Sequence, residues 1–152
     1  MTTANDIAPI VQAASSGLRF EDFQVAEVHL TTGSPTQTED RNYNIDFTLG
    51  GRLSRSQGRF TLLLGVRITT ASGLFDADLQ VRGLFSFDTE MDSNKLDKLL
   101  TLNAPALVFP YVRAYLGALT ALSGLPTVLA PTLNTSGLAE SLRQAIEEVE
   151  SV

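Results

Sequence analysis

Between Leu18 and Phe87 apolar and polar residues alternate with the period of two that marks strands with one covered face. In the first run Leu18, Phe20, Asp22, Gln24, Ala26, Val28 and Leu30 alternate with Arg19, Glu21, Phe23, Val25, Glu27 and His29, so neither face is purely apolar. Three cleaner runs follow. Tyr43, Ile45, Phe47 and Leu49 open the first; Phe60, Leu62, Leu64, Val66 and Ile68 form the second; Phe75, Ala77, Leu79, Val81, Gly83, Phe85 and Phe87 form the third. Ser56-Gln57-Gly58 and Ser72-Gly73 supply the turns, while the polar stretch from Thr31 to Asn42 reads as a loop longer than a tight hairpin needs. After Asp88 the spacing becomes helical: Leu96, Leu99 and Leu100 follow Ser93 as a cap, and Leu138, Leu142, Ala145, Ile146 and Val149 line one stripe of a last helix. Ile7, Ile10, Val11 and Ala14 predict a short helix over 5–16 that stops at Gly17. The expected fold is α+β in one domain over 1–152: a four-stranded antiparallel sheet, a meander with a crossover loop, packed on a long helix. Residues 1–17 form an N-terminal helical extension and 136–152 a C-terminal helical tail.

The longest apolar run extends from Asn103 to Pro131, with Arg113 its only charge. Within it, residues 104–123 match the length of a membrane span, but Pro105, Pro110 and Arg113 interrupt them. If Pro110 occupies the first helical position, the helix ends near Ser123 after about 14 residues, roughly 21 Å, which is short of a bilayer. Burial in protein is therefore expected, with no stable membrane insertion. On a helical wheel Tyr111, Val112, Tyr115, Leu116, Leu119 and Leu122 give a bulky side, and Ala114, Gly117, Ala118 and Ala121 a ridge of small residues. One sheet can cover the bulky side only. The ridge calls for a second cover, either another copy of the chain at an oligomer interface or the terminal helices of the same chain.

Composition narrows the partners. The chain has 152 residues, enough to bury about 70% of its unfolded surface. Hydrophobic residues make up 43% and charged ones 18%, a globular balance. A net charge of −6 argues against a nucleic-acid partner, and the absence of cysteine removes disulfides, thiolate ligands and a thiol nucleophile. The first residues lack a basic stretch followed by an apolar one, so a cytoplasmic location is expected.

No constellation for catalysis stands out, and the chain reads as a non-enzyme. The single histidine, His29, lies in a strand beside Glu27; Asp76 and Asp78 sit two apart on a polar strand face. Asp88, Glu90 and Asp92 precede a helix, where acids favour the dipole, and lack the turn glycine of a calcium loop. Gly50-Gly51 and Gly83 have no phosphate-loop spacing, and Tyr111 and Tyr115 read as core. No metal-ligand set and no cofactor motif is found.

From Asn103 onward the chain resembles the SecB family of export chaperones. The resemblance rests on Asn103, Leu107, Phe109-Pro110-Tyr111-Val112-Arg113, the break Gly124-Leu125-Pro126, then Leu129-Ala130-Pro131 and Asn134. The order of strands, loop and the run Gly83-Leu84-Phe85-Ser86-Phe87 extends it over nearly the whole chain. It implies a homotetramer, a dimer of dimers, that holds unfolded polypeptides without ATP in apolar grooves. Projected onto this sequence, the groove positions are Tyr43, Phe47, Leu125, Val128, Leu129 and Leu133. The family's sheet also carries an acidic patch that meets the SecA motor, for which Glu27, Asp76 and Asp78 are the counterparts here. Thr135 stands where export members usually carry an aromatic, and both terminal segments differ from the export form. SecB-like proteins with such extensions can serve toxin–antitoxin systems, so the clients are preproteins or an antitoxin. A small-molecule carrier with a pocket between sheet and helix, or a structural oligomerisation module, are the alternatives.

Overall fold

The structure, a computed structural model, describes residues 17–33, 42–71, 73–131 and 135–152. The helix expected over 5–16, most of the crossover loop, and Leu133 and Asn134 lie outside the described residues. Strands β1 (Leu18–Thr32), β2 (Tyr43–Ser54), β3 (Arg59–Thr70) and β4 (Phe75–Phe87) are joined by α1 (Ser93–Lys98), α2 (Ala104–Leu122), α3 (Thr135–Ala145) and a short β5 (Ile146–Glu148). The sheet order is β1-β4-β3-β2-β5, antiparallel except for β5, which runs parallel to β2.

The mixed alternation of β1 has a physical cause. Register shifts between Phe20 and Asp22 and between Val25 and Glu27 are β-bulges, each inserting one extra residue. They return Phe23 and Val25, and then Val28 and Leu30, to the side of Leu18 and Phe20. Phe20, Phe23 and Leu30 accordingly pack against the core. In β3 and β4 the alternation is unbroken, and Phe60, Leu62, Leu64, Val66, Leu79, Val81 and Phe85 are buried. The helix covers this face. Phe20 and Phe23 meet Tyr111 at ring separations of 5.4 Å, and Phe47 meets Phe109 at 5.7 Å.

Close approach of α2 requires a gap in β4. A Cβ on Gly83 would stand 2.4 Å from Val108 Cγ2, well inside contact distance. Gly83→Ala should therefore overpack the junction and lower stability by about 1–3 kcal/mol, read as a shift in the urea midpoint.

Three local expectations change. Asp92, not Ser93, caps α1: its Oδ2 accepts from Asn94 N–H at 3.1 Å and Lys95 N–H at 3.2 Å. A wider helical turn over Leu99–Asn103 then leads directly into α2, so Pro105 and not Pro110 occupies the helix start. Pro110 lies inside α2 on its exposed side, and its missing N–H leaves the carbonyl of Ala106, itself an exposed residue, without its usual helical donor. The combined helix Ser93–Leu122 is long and apolar enough to cross a membrane by length and composition alone. In the fold, Val108, Val112, Leu116 and Thr120 of that helix are buried.

The tail also departs from a single helix. α3 ends at Ala145, and Ile146–Glu148 pair with Gly51–Leu53, giving the sheet a fifth strand instead of four. Val149 N–H donates to Leu53 carbonyl at 2.8 Å, and Ser54 Oγ, fully buried, donates to Glu150 carbonyl at 2.9 Å. These bonds satisfy part of the open edge of β2. Helical spacing of Leu142, Ile146 and Val149 could not reveal that competing edge. Arg143 anchors α3 to α1 through Asp97, with Nη2 2.9 Å from Oδ2, and also pairs with Glu140; hydrogen bonding to Asp97 and then Glu140 raises its already high pKa.

Candidate binding cleft

The segment after α2 is where the helix, the sheet edge and solvent meet. Gly124, with φ of 75°, turns the chain out of the helix, and Leu125 N–H donates back to Thr120 carbonyl at 3.0 Å. From Pro126 the backbone is extended, and burial alternates: Val128 and Ala130 are buried, while Leu129 is 62% exposed. Thr120 fixes this arrangement. Its buried hydroxyl donates to Leu116 carbonyl at 2.8 Å and accepts from Val128 N–H at 2.9 Å. Thr120→Val keeps the shape but leaves a buried N–H without a partner, a cost of about 1–3 kcal/mol. Hydrogen exchange at Val128 should accelerate accordingly, and unchanged protection would contradict this role.

Two open clefts flank Leu129. One, of about 460 Å³, is lined by Tyr43, Thr70, Phe75, Pro126, Thr127, Val128 and Leu129. Tyr43 hydroxyl donates to Leu129 carbonyl at 3.3 Å, tying the start of β2 to the extended segment. The other, of about 560 Å³, runs along the helix past Phe109, Pro110, Arg113, Ala114, Gly117 and Ala118 to the opposite side of Leu129. Apolar walls open to solvent on either side of one exposed leucine can take up extended apolar side chains.

Of the six residues projected onto a groove, the fold brings Tyr43, Val128 and Leu129 together at the first cleft. Val128 is 1% exposed and forms its floor. Phe47 is half-buried against Phe109, and Leu125 is half-buried against the core. Leu133 lies outside the described residues. Thr70 and Phe75 line the cleft without having been singled out in the sequence. Phe75 opens a strand and looks like any core residue there; Thr70 carries no distinguishing pattern. Thr120 did leave a signal, as a polar residue at a position whose helical neighbours Val112 and Leu116 are buried.

The small ridge is only partly covered by its own chain. Ala114, Ala118 and Ala121 are exposed, and Leu122 beside them is 89% exposed. Gly117 is half-buried, and a Cβ there would lie 3.7 Å from Val128 carbonyl oxygen, so it faces the extended segment as well as the ridge. α3 packs on the Leu99–Asn103 turn and on β2.

The acidic positions lie on the opposite sheet face. Glu27 Oε1 is 2.6 Å from His29 Nε2, both exposed, and Asp78 pairs with Arg67 at 3.5 Å. Among the described residues no cluster of His, Cys, Asp or Glu is arranged to hold a metal ion.

A sheet of four antiparallel strands extended by β5 and backed by one long helix, with apolar clefts at the helix end, defines the fold as α+β. The sequence profile described as preprotein translocase subunit SecB matches residues 18–145, and the chain belongs to the SecB family. A protein-export protein SecB of Stenotrophomonas maltophilia is 28% identical over 148 residues, covering 93% of this chain and 86% of that one. The protein-export protein SecB of Xanthomonas oryzae pv. oryzae is 29% identical over 157 residues, covering 97% and 91%. Among solved structures, the Mycobacterium tuberculosis Rv1957 SecB-like chaperone, in complex with a ChAD peptide from the Rv1956 HigA1 antitoxin, shares the fold. Its TM-score is 0.66 at 14% identity, over 78% of this chain and 89% of that chain.

Proposed function

We propose that this chain is an ATP-independent holdase that binds unfolded polypeptides in the cleft that Leu129 shares with Tyr43, Thr70 and Phe75, while the cleft along Ala114, Gly117 and Ala118 is left to contact between subunits. The observation that carries the proposal is Leu129 itself. It is a large apolar side chain held out to solvent by an extended segment whose neighbours Val128 and Ala130 are locked into the core. With Tyr43, Phe75 and Val128 beside it, the leucine belongs to a contiguous apolar cleft, the kind of surface that marks a binding groove. Membership of the SecB family supports the reading, as does the match to a SecB-like chaperone solved with an antitoxin peptide. The cleft volume also suits a small ligand. The exposed Leu129 at its rim favours a polypeptide over a molecule that must be enclosed.

The clients are preproteins, consistent with the protein-export relatives, or an antitoxin; the SecA motor is the partner for the export role. The working form is a cytoplasmic homotetramer, a dimer of dimers, with Ala114, Gly117, Ala118 and Ala121 at a helix-to-helix interface. Support for the interface comes from the exposure of Ala114, Ala118 and Ala121 beside Leu122. The test is dilution of a chemically denatured client into nucleotide-free buffer with the protein present. Suppressed light scattering at stoichiometric amounts is expected; scattering equal to that of the client alone would overturn the proposal.

A further inference from the structure

The sheet face turned away from α2 divides by charge. Toward the Thr31 end of β1, cross-strand register aligns His29, Asp78, Arg67 and Asp46, and the Arg67–Asp78 and His29–Glu27 pairs offset one another. Toward the turn between β2 and β3, the central strands carry Arg52, Arg59 and Arg82, all exposed. Register places Thr61 between Arg52 and Leu84, and Leu63 between Gly50 and Arg82. Leu63 and Leu84 are half-buried, and Thr61 is 6% exposed.

These arginines differ from the others in the sheet. Arg19 lies 3.8 Å from Glu21, Arg55 pairs with Glu148, and Arg67 with Asp78. Among the described residues, Arg52, Arg59 and Arg82 have no carboxylate within ion-pair distance. The nearest acids by register are on the flanking strands: Glu21, which accepts from the Ser86 hydroxyl beside Arg59, Asp22 beside Leu84, and Glu147 beside Arg52. Asp22 is already engaged, accepting from Phe23 N–H at 2.9 Å and from the Gln24 side-chain amide at 3.2 Å. In a chain of net charge −6, three exposed arginines that none of the flanking acids pairs are free to take carboxylates from a partner.

We propose that this half of the outer face docks an acidic polypeptide segment that carries apolar side chains between its carboxylates. Guanidinium groups bind carboxylates in a fixed bidentate geometry, and Leu63 and Leu84 between them accept apolar contact. A nucleic acid fits less well. The outer positions of β1–β4 carry no Phe or Tyr for base stacking, and Asp46 and Asp76 at the other end of the same face would repel a long polyanion. The surface lies on the far side of the sheet from Leu129, so this inference stands independently of the holdase reading.

The test is fluorescence anisotropy of the full chain with a short labelled peptide repeating Glu-Leu-Glu-Glu, set against Gln-Leu-Gln-Gln and Lys-Leu-Lys-Lys versions. The acidic peptide should bind best, and binding should weaken as salt rises to about 0.5 M, where such charges are screened. The combined Arg52→Gln, Arg59→Gln and Arg82→Gln variant should bind about tenfold more weakly, while Lys95→Gln with Lys98→Gln changes nothing. Far-ultraviolet circular dichroism checks folding, and Arg82→Glu alone should already weaken binding. Equal binding of the acidic and glutamine peptides, full binding by the triple variant, or binding of a single-stranded oligonucleotide in place of the acidic peptide would overturn the proposal.

Discussion

Ala118→Glu should reduce the solution mass from about four subunits to two or one without unfolding the subunit. Ala118 is exposed within the chain, so the substitution meets no internal neighbour. At the proposed interface it would put a larger, charged side chain where a small residue lets the partner helix approach, with Arg113 in the same cleft as its nearest cation. Overpacking of such a contact costs about 1–3 kcal/mol per copy, which weakens association by roughly tenfold or more. The same change at Gly117 is a poorer probe, since a side chain there would also press on Val128 and Thr127. Sedimentation equilibrium reads the outcome. An assembly of unchanged mass with Ala118→Glu would place the interface elsewhere and leave the ridge as ordinary surface.

Leu129→Asp should weaken binding of an unfolded client by about ten- to a hundredfold. The leucine lines the cleft it shares with Tyr43 and Phe75, and withdrawing an anchor of that size from apolar contact loses roughly 1.5–3 kcal/mol. Since the side chain is already 62% exposed, the subunit should keep its stability and its mass. Tyr43→Phe serves as the companion change. It removes only the hydroxyl that bonds Leu129 carbonyl at 3.3 Å, so it should loosen the segment and reduce affinity less. Titration of a labelled, denatured client by anisotropy measures both.

Much of the fold was legible because period-two alternation needs only one covered face to become visible. β2, β3 and β4 fall where Ile45, Leu62 and Leu79 with their alternate neighbours place them. β1 was ambiguous for a reason now visible: its two bulges shift the apolar phase twice within a strand that no single alternation describes. The C-terminal residues failed differently. Ile146 and Val149 keep helical spacing after Leu142, but the open edge of β2 offers backbone partners that local sequence cannot announce. Pro110 misled because a proline reads as a helix start, whereas here the preceding turns were built from Leu99 onward and the exposed side of α2 tolerates it.

The cleft was less legible than the fold. Tyr43 and Leu129 came from a family pattern, not from any property visible in their own neighbourhoods, because the residues that complete the cleft lie on strands distant in sequence. Val128 and Leu129 are adjacent and similar in type, yet one is floor and the other is exposed wall. That difference depends on the Thr120 hydroxyl, which sets the phase of the extended segment. A wheel of α2 could display the ridge but not its cover, since α3 packs toward β2 and the Leu99–Asn103 turn.

The most direct test is site-specific photo-crosslinking from position 129. With a photoreactive residue in place of Leu129, illumination in nucleotide-free buffer should capture an unfolded client and not the same client after folding. A matching probe at Gln80, exposed on the opposite face, should capture far less. Crosslinks from position 80 equal to or stronger than those from 129 would contradict the account, as would capture of the folded and unfolded forms alike.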